Sequence, residues 1–260
     1  MYMVVHAVLL DIDGTLFTGM DPLPGSVEAI EFLQQQEIPY RFISNGTRRS
    51  RRSVLKKLER LNLPVQEDQI FTPAGAAIQY LQNRGIFSCT LLATDDLKED
   101  FINAGISLVH DAQVVIVADA GDAFTYQVVN QAFRLLIDGA DLIALEKDRY
   151  WMDHDGLSLG AGAFVTGLEY ASGKPSLLMG KPSPDFFRGA LSSMDAKPET
   201  TLMVGDDIIT DIAGSIGCGL KGALVQTGKF SSEVLDRSQV KPTYVLQSIM
   251  SLPELIHKES

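Results

Sequence analysis

Two aspartates separated by one residue, in Asp11-Ile12-Asp13-Gly14-Thr15, close an apolar run that begins at Ala7. Side chains alternate along a strand, so both carboxylates leave the strand end on the same side and share one small space. A second acidic group, Val204-Gly205-Asp206-Asp207-Ile208-Ile209-Thr210-Asp211, follows another apolar run, with Asp211 expected about one turn along the next helix. Carboxylates gathered at neighbouring strand ends repel: two like charges about 4 Å apart cost about 4 kcal/mol at an effective dielectric near 20. Such a cluster calls for a cation. Oxygen donors with no His or Cys favour Mg²⁺, typically held by one or two carboxylates, several waters and a substrate phosphate.

A phosphate would need its own partners, because the chain as a whole repels anions. Its 22 Lys and Arg stand against 33 Asp and Glu, a formal charge of -11, which argues against nucleic acid or an anionic membrane surface as a partner. Two segments could reverse that field locally. Ser44-Asn45-Gly46-Thr47 ends the apolar run from Tyr40 and precedes a helical pattern, bringing a hydroxyl, an amide and backbone N–H groups to a helix N-terminus; read alone, it is more often an ordinary N-cap. Lys181, in Gly180-Lys181-Pro182, follows the run Ser176–Met179 and supplies a positive charge, although an isolated Gly-Lys-Pro usually marks a loop. The arginines 48, 49, 51 and 52 read as a solvated helix face.

The elements that must position these residues are legible in the apolar pattern. Runs suited to buried strands recur at Ala7–Ile12, Tyr40–Ser44, Thr90–Ala93, Val114–Ala118, Leu142–Leu145, Ser176–Met179, Thr201–Gly205 and Gly222–Val225. Amphipathic stretches lie between them, with Pro24-Gly25-Ser26 and Ser183-Pro184-Asp185 as helix starts and Gly139 as a stop. Alternation of this kind predicts an α/β protein with a doubly wound, Rossmann-like parallel sheet, whose ligand sites lie at the carboxyl ends of strands. Cys89 and Cys218 show no metal-ligand spacing and read as two buried free thiols. No stretch approaches the roughly 20 apolar residues of a membrane span, and the expected location is the cytoplasm.

In order and combination, these motifs resemble the haloacid dehalogenase-like hydrolase superfamily. Asp11-Ile12-Asp13-Gly14-Thr15, Ser44-Asn45, Lys181, and Gly205-Asp206-Asp207 with Asp211 match the family pattern. The resemblance implies a phosphatase with an aspartyl-phosphate on Asp11, Asp13 as general acid and base, and phosphate held by Ser44, Asn45 and Lys181. It further implies Mg²⁺ between Asp11, the backbone carbonyl of Asp13 and Asp206, with Asp207 or Asp211 in support. The long insert between Asn45 and Lys181 is similar to the large α/β cap of the NagD-like group, giving a catalytic core over 1–75 and 180–260 and a smaller cap over 76–179. Arg149-Tyr150, Asp155-Gly156-Leu157, Gly160-Ala161-Gly162-Ala163-Phe164 and Leu168-Glu169-Tyr170-Ala171 resemble the HDHD-type and phospholysine phosphohistidine inorganic pyrophosphate phosphatases.

On that resemblance the substrate is a small phosphate ester or pyrophosphate, and a homodimer through the cap is allowed. Gly160–Ala163 reads either as a close-approach loop over the leaving group or as a plain turn, with Arg149, Trp151 and His154 as candidate specificity contacts, although His154 reads more readily as a surface loop histidine. The rival from another class is a catalytically weak regulatory or interaction protein that keeps the fold; intact Asp11, Asp13, Lys181 and Asp206 argue against it.

Overall fold

The computed structural model describes residues 4–153 and 155–259. They form two compact units. One comprises the described residues up to Ser44, Val54–Phe71 and the chain from Lys181 onward; the other comprises Asn45–Ser53 and Thr72–Gly180.

The first unit is built on a six-stranded sheet in the order Tyr244–Leu246, Lys221–Val225, Thr201–Gly205, Ala7–Asp11, Tyr40–Ile43, Ile70–Phe71. Every pairing is parallel. The chain starts in the middle, winds outward through Tyr40–Ile43, and later returns to the other side through Thr201–Gly205. The reversal opens a crevice at the carboxyl end of Ala7–Asp11, the place where such sheets bind ligands. All five residues of that strand are buried, as expected of a parallel strand covered on both faces. Val8 and Leu10 pack with Phe42, Leu202, Val204 and Ala223 against Ile30, Leu33, Leu58 and Leu255 from the flanking helices. Leu9 and Met203, equally buried, point to the opposite face by alternation.

The second unit has a five-stranded parallel sheet in the order Leu177–Leu178, Asp141–Ala144, Val114–Val117, Ser88–Leu92, Ser107–Leu108. The helices Asp95–Asn103 and Tyr126–Ile137 each start at a threonine, Thr94 or Thr125, whose hydroxyl accepts a first-turn amide hydrogen. An antiparallel hairpin, Tyr150–Asp153 with Gly156–Leu159, stands apart from the sheet.

The strands anticipated from the apolar runs are all present, displaced by a residue or two. Ser183 caps the helix Pro184–Ser192 through the amide of Asp185. Gly139 follows the helix ending at Ile137 with φ of +115°, a left-handed turn that suits glycine. Cys89 is buried, and burial pushes its thiol up to about 12; Cys218 is only half-buried, a departure from the expected pair of buried thiols. Among the described residues no helix is long and apolar enough to cross a membrane.

Candidate active site

Strand register assembles the site. Asp11 pairs with Ile43, and Leu10 pairs with Val204. Continuing each strand by a residue or two therefore brings Asp11, Ser44 and the Gly205-Asp206 turn to the same edge of the first unit's sheet. Side-chain oxygens of Asp11, Asp206 and Asp211 lie within 4.8 Å of one another, and all three residues are buried. Lys181, itself only 3% exposed, reaches between two of them: its Nζ donates to Asp11 Oδ1 at 2.5 Å and to Asp211 Oδ1 at 2.7 Å. Thr15 Oγ1 donates to the other Asp11 oxygen at 3.2 Å.

Asp211 arrives there by a wider turn than the α-helix expected from the sequence. Ile208–Ala213 is a π-helix, with the Ile212 amide bonded back to the Asp207 carbonyl at 3.2 Å. Asp207 caps it, its Oδ1 accepting from the amides of Ile209 and Thr210 at 2.8 and 3.0 Å. The widened turn lets Asp211 Oδ2 accept from the Asp207 amide at 3.1 Å. It also brings Asp211 against Gly205, where a Cβ would lie 2.3 Å from that same oxygen. Such bulges are frequent at functional sites.

The electrostatics follow from burying three carboxylates beside one ammonium. Burial pushes Asp11 up to about 6, with Lys181 pulling it down and Asp206 adding to the rise. Asp206 is raised to about 6 by burial, which the Lys229 amide opposes and Asp211 reinforces. Asp211 is raised to about 7 by burial, against the pull of Lys181. Burial alone would lower Lys181, but Asp11 and Asp211 outweigh it and hold the ammonium above its ordinary range. One lysine cannot balance three buried carboxylates. An all-oxygen donor set with this excess negative charge fits a hard divalent cation.

The remaining sequence candidates are more dispersed. The Asp13 side chain is 68% exposed, outside the buried trio, with its Oδ1 3.4 Å from Lys57 Nζ; Lys57 also lies 4.0 Å from the Phe17 ring centre. Ser44 is buried immediately after its strand, and Asn45 begins the segment that belongs to the second unit. The helix expected directly after Ser44-Asn45 starts only at Arg51. The Arg51 amide is engaged by the Asp100 carboxylate at 3.0 and 3.2 Å.

In the second unit, Gly160–Ala163 is not a loop: Gly160 is the cap and Ala161 the start of the helix Ala161–Ser172. Gly162 is small for a packing reason, since a Cβ there would lie 2.5 Å from the Lys147 carbonyl oxygen and 2.6 Å from that of Asp148. Arg149 is exposed. Trp151 is half-buried with the Arg48 guanidinium 5.2 Å above its ring, and its indole Nε1 has no hydrogen-bond partner among the described residues. His154 lies outside the described residues. Sequence reasoning missed Thr227 and Lys229, which touch the Gly14 carbonyl and Asp206. The signal was available: Thr227-Gly228-Lys229 is a polar segment just past a buried strand, the position that directed attention to the other motifs.

Comparison with known proteins shows the family. Residues 8–107 match a family model described as haloacid dehalogenase-like hydrolase, and residues 178–252 match a related HAD-hydrolase-like model. The chain is 40% identical to the rat (Rattus norvegicus) haloacid dehalogenase-like hydrolase domain-containing protein 2, over 92% of this chain and 90% of that protein. It is 39% identical to the phospholysine phosphohistidine inorganic pyrophosphate phosphatase of Xenopus laevis, over 87% and 85%. Among solved structures, 4-nitrophenylphosphatase from Thermotoga maritima superposes with a TM-score of 0.91 at 27% identity, covering 97% of both chains. NagD from E. coli K-12 superposes at 0.88 with 25% identity, covering 95% and 98%.

Proposed function

This chain belongs to the haloacid dehalogenase-like hydrolase family and is a phosphatase of that family; from that premise we propose that it hydrolyses a small phosphate ester or pyrophosphate through an aspartyl-phosphate on Asp11, with Mg²⁺ as its metal. The observation that carries the reading is the buried trio Asp11, Asp206 and Asp211 with Lys181 set among them. Asp11, Asp206 and the Asp13 backbone carbonyl would hold the ion, with Asp207 or Asp211 acting through water or by orientation. Bound there, Mg²⁺ supplies positive charge to the transferring phosphoryl group.

The chain's own groups account for the remaining steps. Burial raises Asp11 while the Lys181 ammonium favours its charged form, and its bonds to Thr15 and Lys181 fix the carboxylate in one orientation. An Asp11 oxygen attacks phosphorus in line as the bond to the leaving oxygen breaks, and Asp13 gives that oxygen its proton. The Asp13 carboxylate then takes a proton from water, whose oxygen attacks phosphorus and releases phosphate with Asp11 restored. Ser44, Asn45 and Lys181 hold the phosphoryl oxygens, which suits the burial of Ser44 and Lys181 at one sheet edge. The second unit, inserted in the chain between Ser44 and Lys181, acts as the cap that selects the leaving group. Two cysteines left free suit a reducing compartment, and we take the cytoplasm as the place of action.

The test is phosphate release from a panel of phosphate esters, sugar phosphates, nucleotides, phosphoamino acids and pyrophosphate, with Mg²⁺ or with chelator. Turnover that requires the metal and disappears in Asp11→Asn is expected. Turnover retained by Asp11→Asn would remove Asp11 as nucleophile.

A further inference from the structure

The loop that follows the Lys221–Val225 strand fastens two parts of the candidate site together. Thr227 Oγ1 donates to the Gly14 carbonyl oxygen at 2.6 Å. The Lys229 amide donates to Asp206 Oδ2 at 2.6 Å, and the Lys229 ammonium lies 3.8 Å from Asp207 Oδ2. Between these contacts two glycines face each other. Gly14 and Gly228 adopt left-handed φ values of +88° and +58°, and a Cβ on either would lie 2.0 Å from Asp206 Oδ2. A Cβ on Gly228 would also lie 2.5 Å from the Gly14 Cα. One oxygen of Asp206 is thus lodged between two backbones that carry no side chain, against a fixed amide donor.

We infer that Thr227-Gly228-Lys229 is a positioning clamp, which sets the direction in which Asp206 and the Asp13-Gly14 backbone meet the divalent cation. The inference rests on the Mg²⁺ reading above and deepens it by adding residues outside the acidic motifs. Neither Thr227 nor the Lys229 amide is a ligand. Each acts through a group that is itself a ligand or adjoins one: the Lys229 amide through the Asp206 carboxylate, Thr227 through the carbonyl of the peptide next to Asp13. Metal affinity depends on ligands being aimed before the ion arrives, and loss of such an outer hydrogen bond typically weakens binding by about 10–100-fold. A tie that served the fold alone would lower the stability of the metal-free protein and leave metal affinity unchanged.

Titration calorimetry of Mg²⁺ into the chelator-stripped full chain separates the two, using wild type, Thr227→Val and Thr227→Ser, with melting temperatures in chelator recorded in parallel. Valine keeps the shape and removes the donor from a buried carbonyl; serine restores the hydroxyl. The expected result is at least about a tenfold weaker Mg²⁺ affinity for Thr227→Val and near wild-type affinity for Thr227→Ser. If the valine variant fails to fold, Thr227→Ala carries the same comparison. Wild-type affinity in the variant lacking the hydroxyl overturns the clamp and leaves the Mg²⁺ reading intact. Absence of Mg²⁺ binding by the wild type removes that reading and the clamp with it.

Discussion

Replacing Lys181 by methionine tests the charge architecture of the site more sharply than any activity loss could. The ammonium is 3% exposed and contacts two carboxylates at 2.5 and 2.7 Å. Methionine retains the aliphatic part of the side chain as far as Cε and deletes the ammonium, leaving Asp11 and Asp211 without their charged partner. Removing one partner of a buried ion pair typically costs about 3–5 kcal/mol, because the other charge stays buried and uncompensated. Here two partners are stranded, so the loss should reach that range in urea denaturation of chelator-treated protein at pH 8. Because the cost is electrostatic, relieving it elsewhere should recover stability. Lys181→Met/Asp211→Asn is expected to be more stable than Lys181→Met alone, and Mg²⁺ should stabilise Lys181→Met more than wild type. A loss below about 1 kcal/mol, or a double variant no more stable than the single one, would refute the picture of three carboxylates coupled through one lysine.

Two further expectations concern the second unit. Glu146, 5% exposed, is raised to about 7 by burial and the Asp148 charge, against the amides of Asp148 and Ala161 that it accepts from at 2.5 and 3.0 Å. Because the folded carboxyl titrates above its unfolded value of 4.5, its contribution is fully present below that pH and is lost as pH rises through about 7. The shift corresponds to about 3 kcal/mol, so Glu146→Gln should gain on wild type by up to that amount between pH 4.5 and 8 in urea midpoints. A pH-independent difference would count against it. Gly162→Ala should lose about 1–3 kcal/mol in thermal unfolding, because its Cβ meets two carbonyl oxygens. Gly167→Ala in the same helix, where a Cβ meets nothing within 4 Å, should be neutral or slightly stabilising; equal effects would remove the packing explanation for Gly162.

The sequence revealed what depends on local pattern and obscured what depends on long-range geometry. Apolar runs marked the buried strands, and the rule that ligands gather at strand ends pointed to Asp11, Ser44 and Asp206 before their register was known. The π-helix at Ile208–Ala213 has no such signature: Ile208-Ile209-Thr210-Asp211 reads as an ordinary amphipathic turn, and the widening shows in the bonds from Ile212 to Asp207 and from Gly214 to Ile209, each five residues back. Gly160-Ala161-Gly162-Ala163 looked like a loop because glycines usually mark turns. Gly162 instead answers to the Lys147 and Asp148 backbone, a contact that spacing cannot show. Thr227 differs from both: its place just past the Lys221–Val225 strand was legible, and only its partner, the Gly14 carbonyl 213 residues away, was not.

The central strand of the first sheet also has a history during synthesis. Asp11 and Lys181 are 170 residues apart, and the Ala7–Asp11 strand pairs on one side with Thr201–Gly205. A ribosome adding about 5–20 residues per second spends on the order of ten to thirty seconds between making the first aspartate and making its lysine. Through that interval the strand has only its Tyr40–Ile43 neighbour to pair with, while the parallel sheet of the inserted unit is completed. The nascent chain must therefore shelter an apolar strand edge until the far end of the protein emerges, which makes this order of assembly a point of aggregation risk and of chaperone demand.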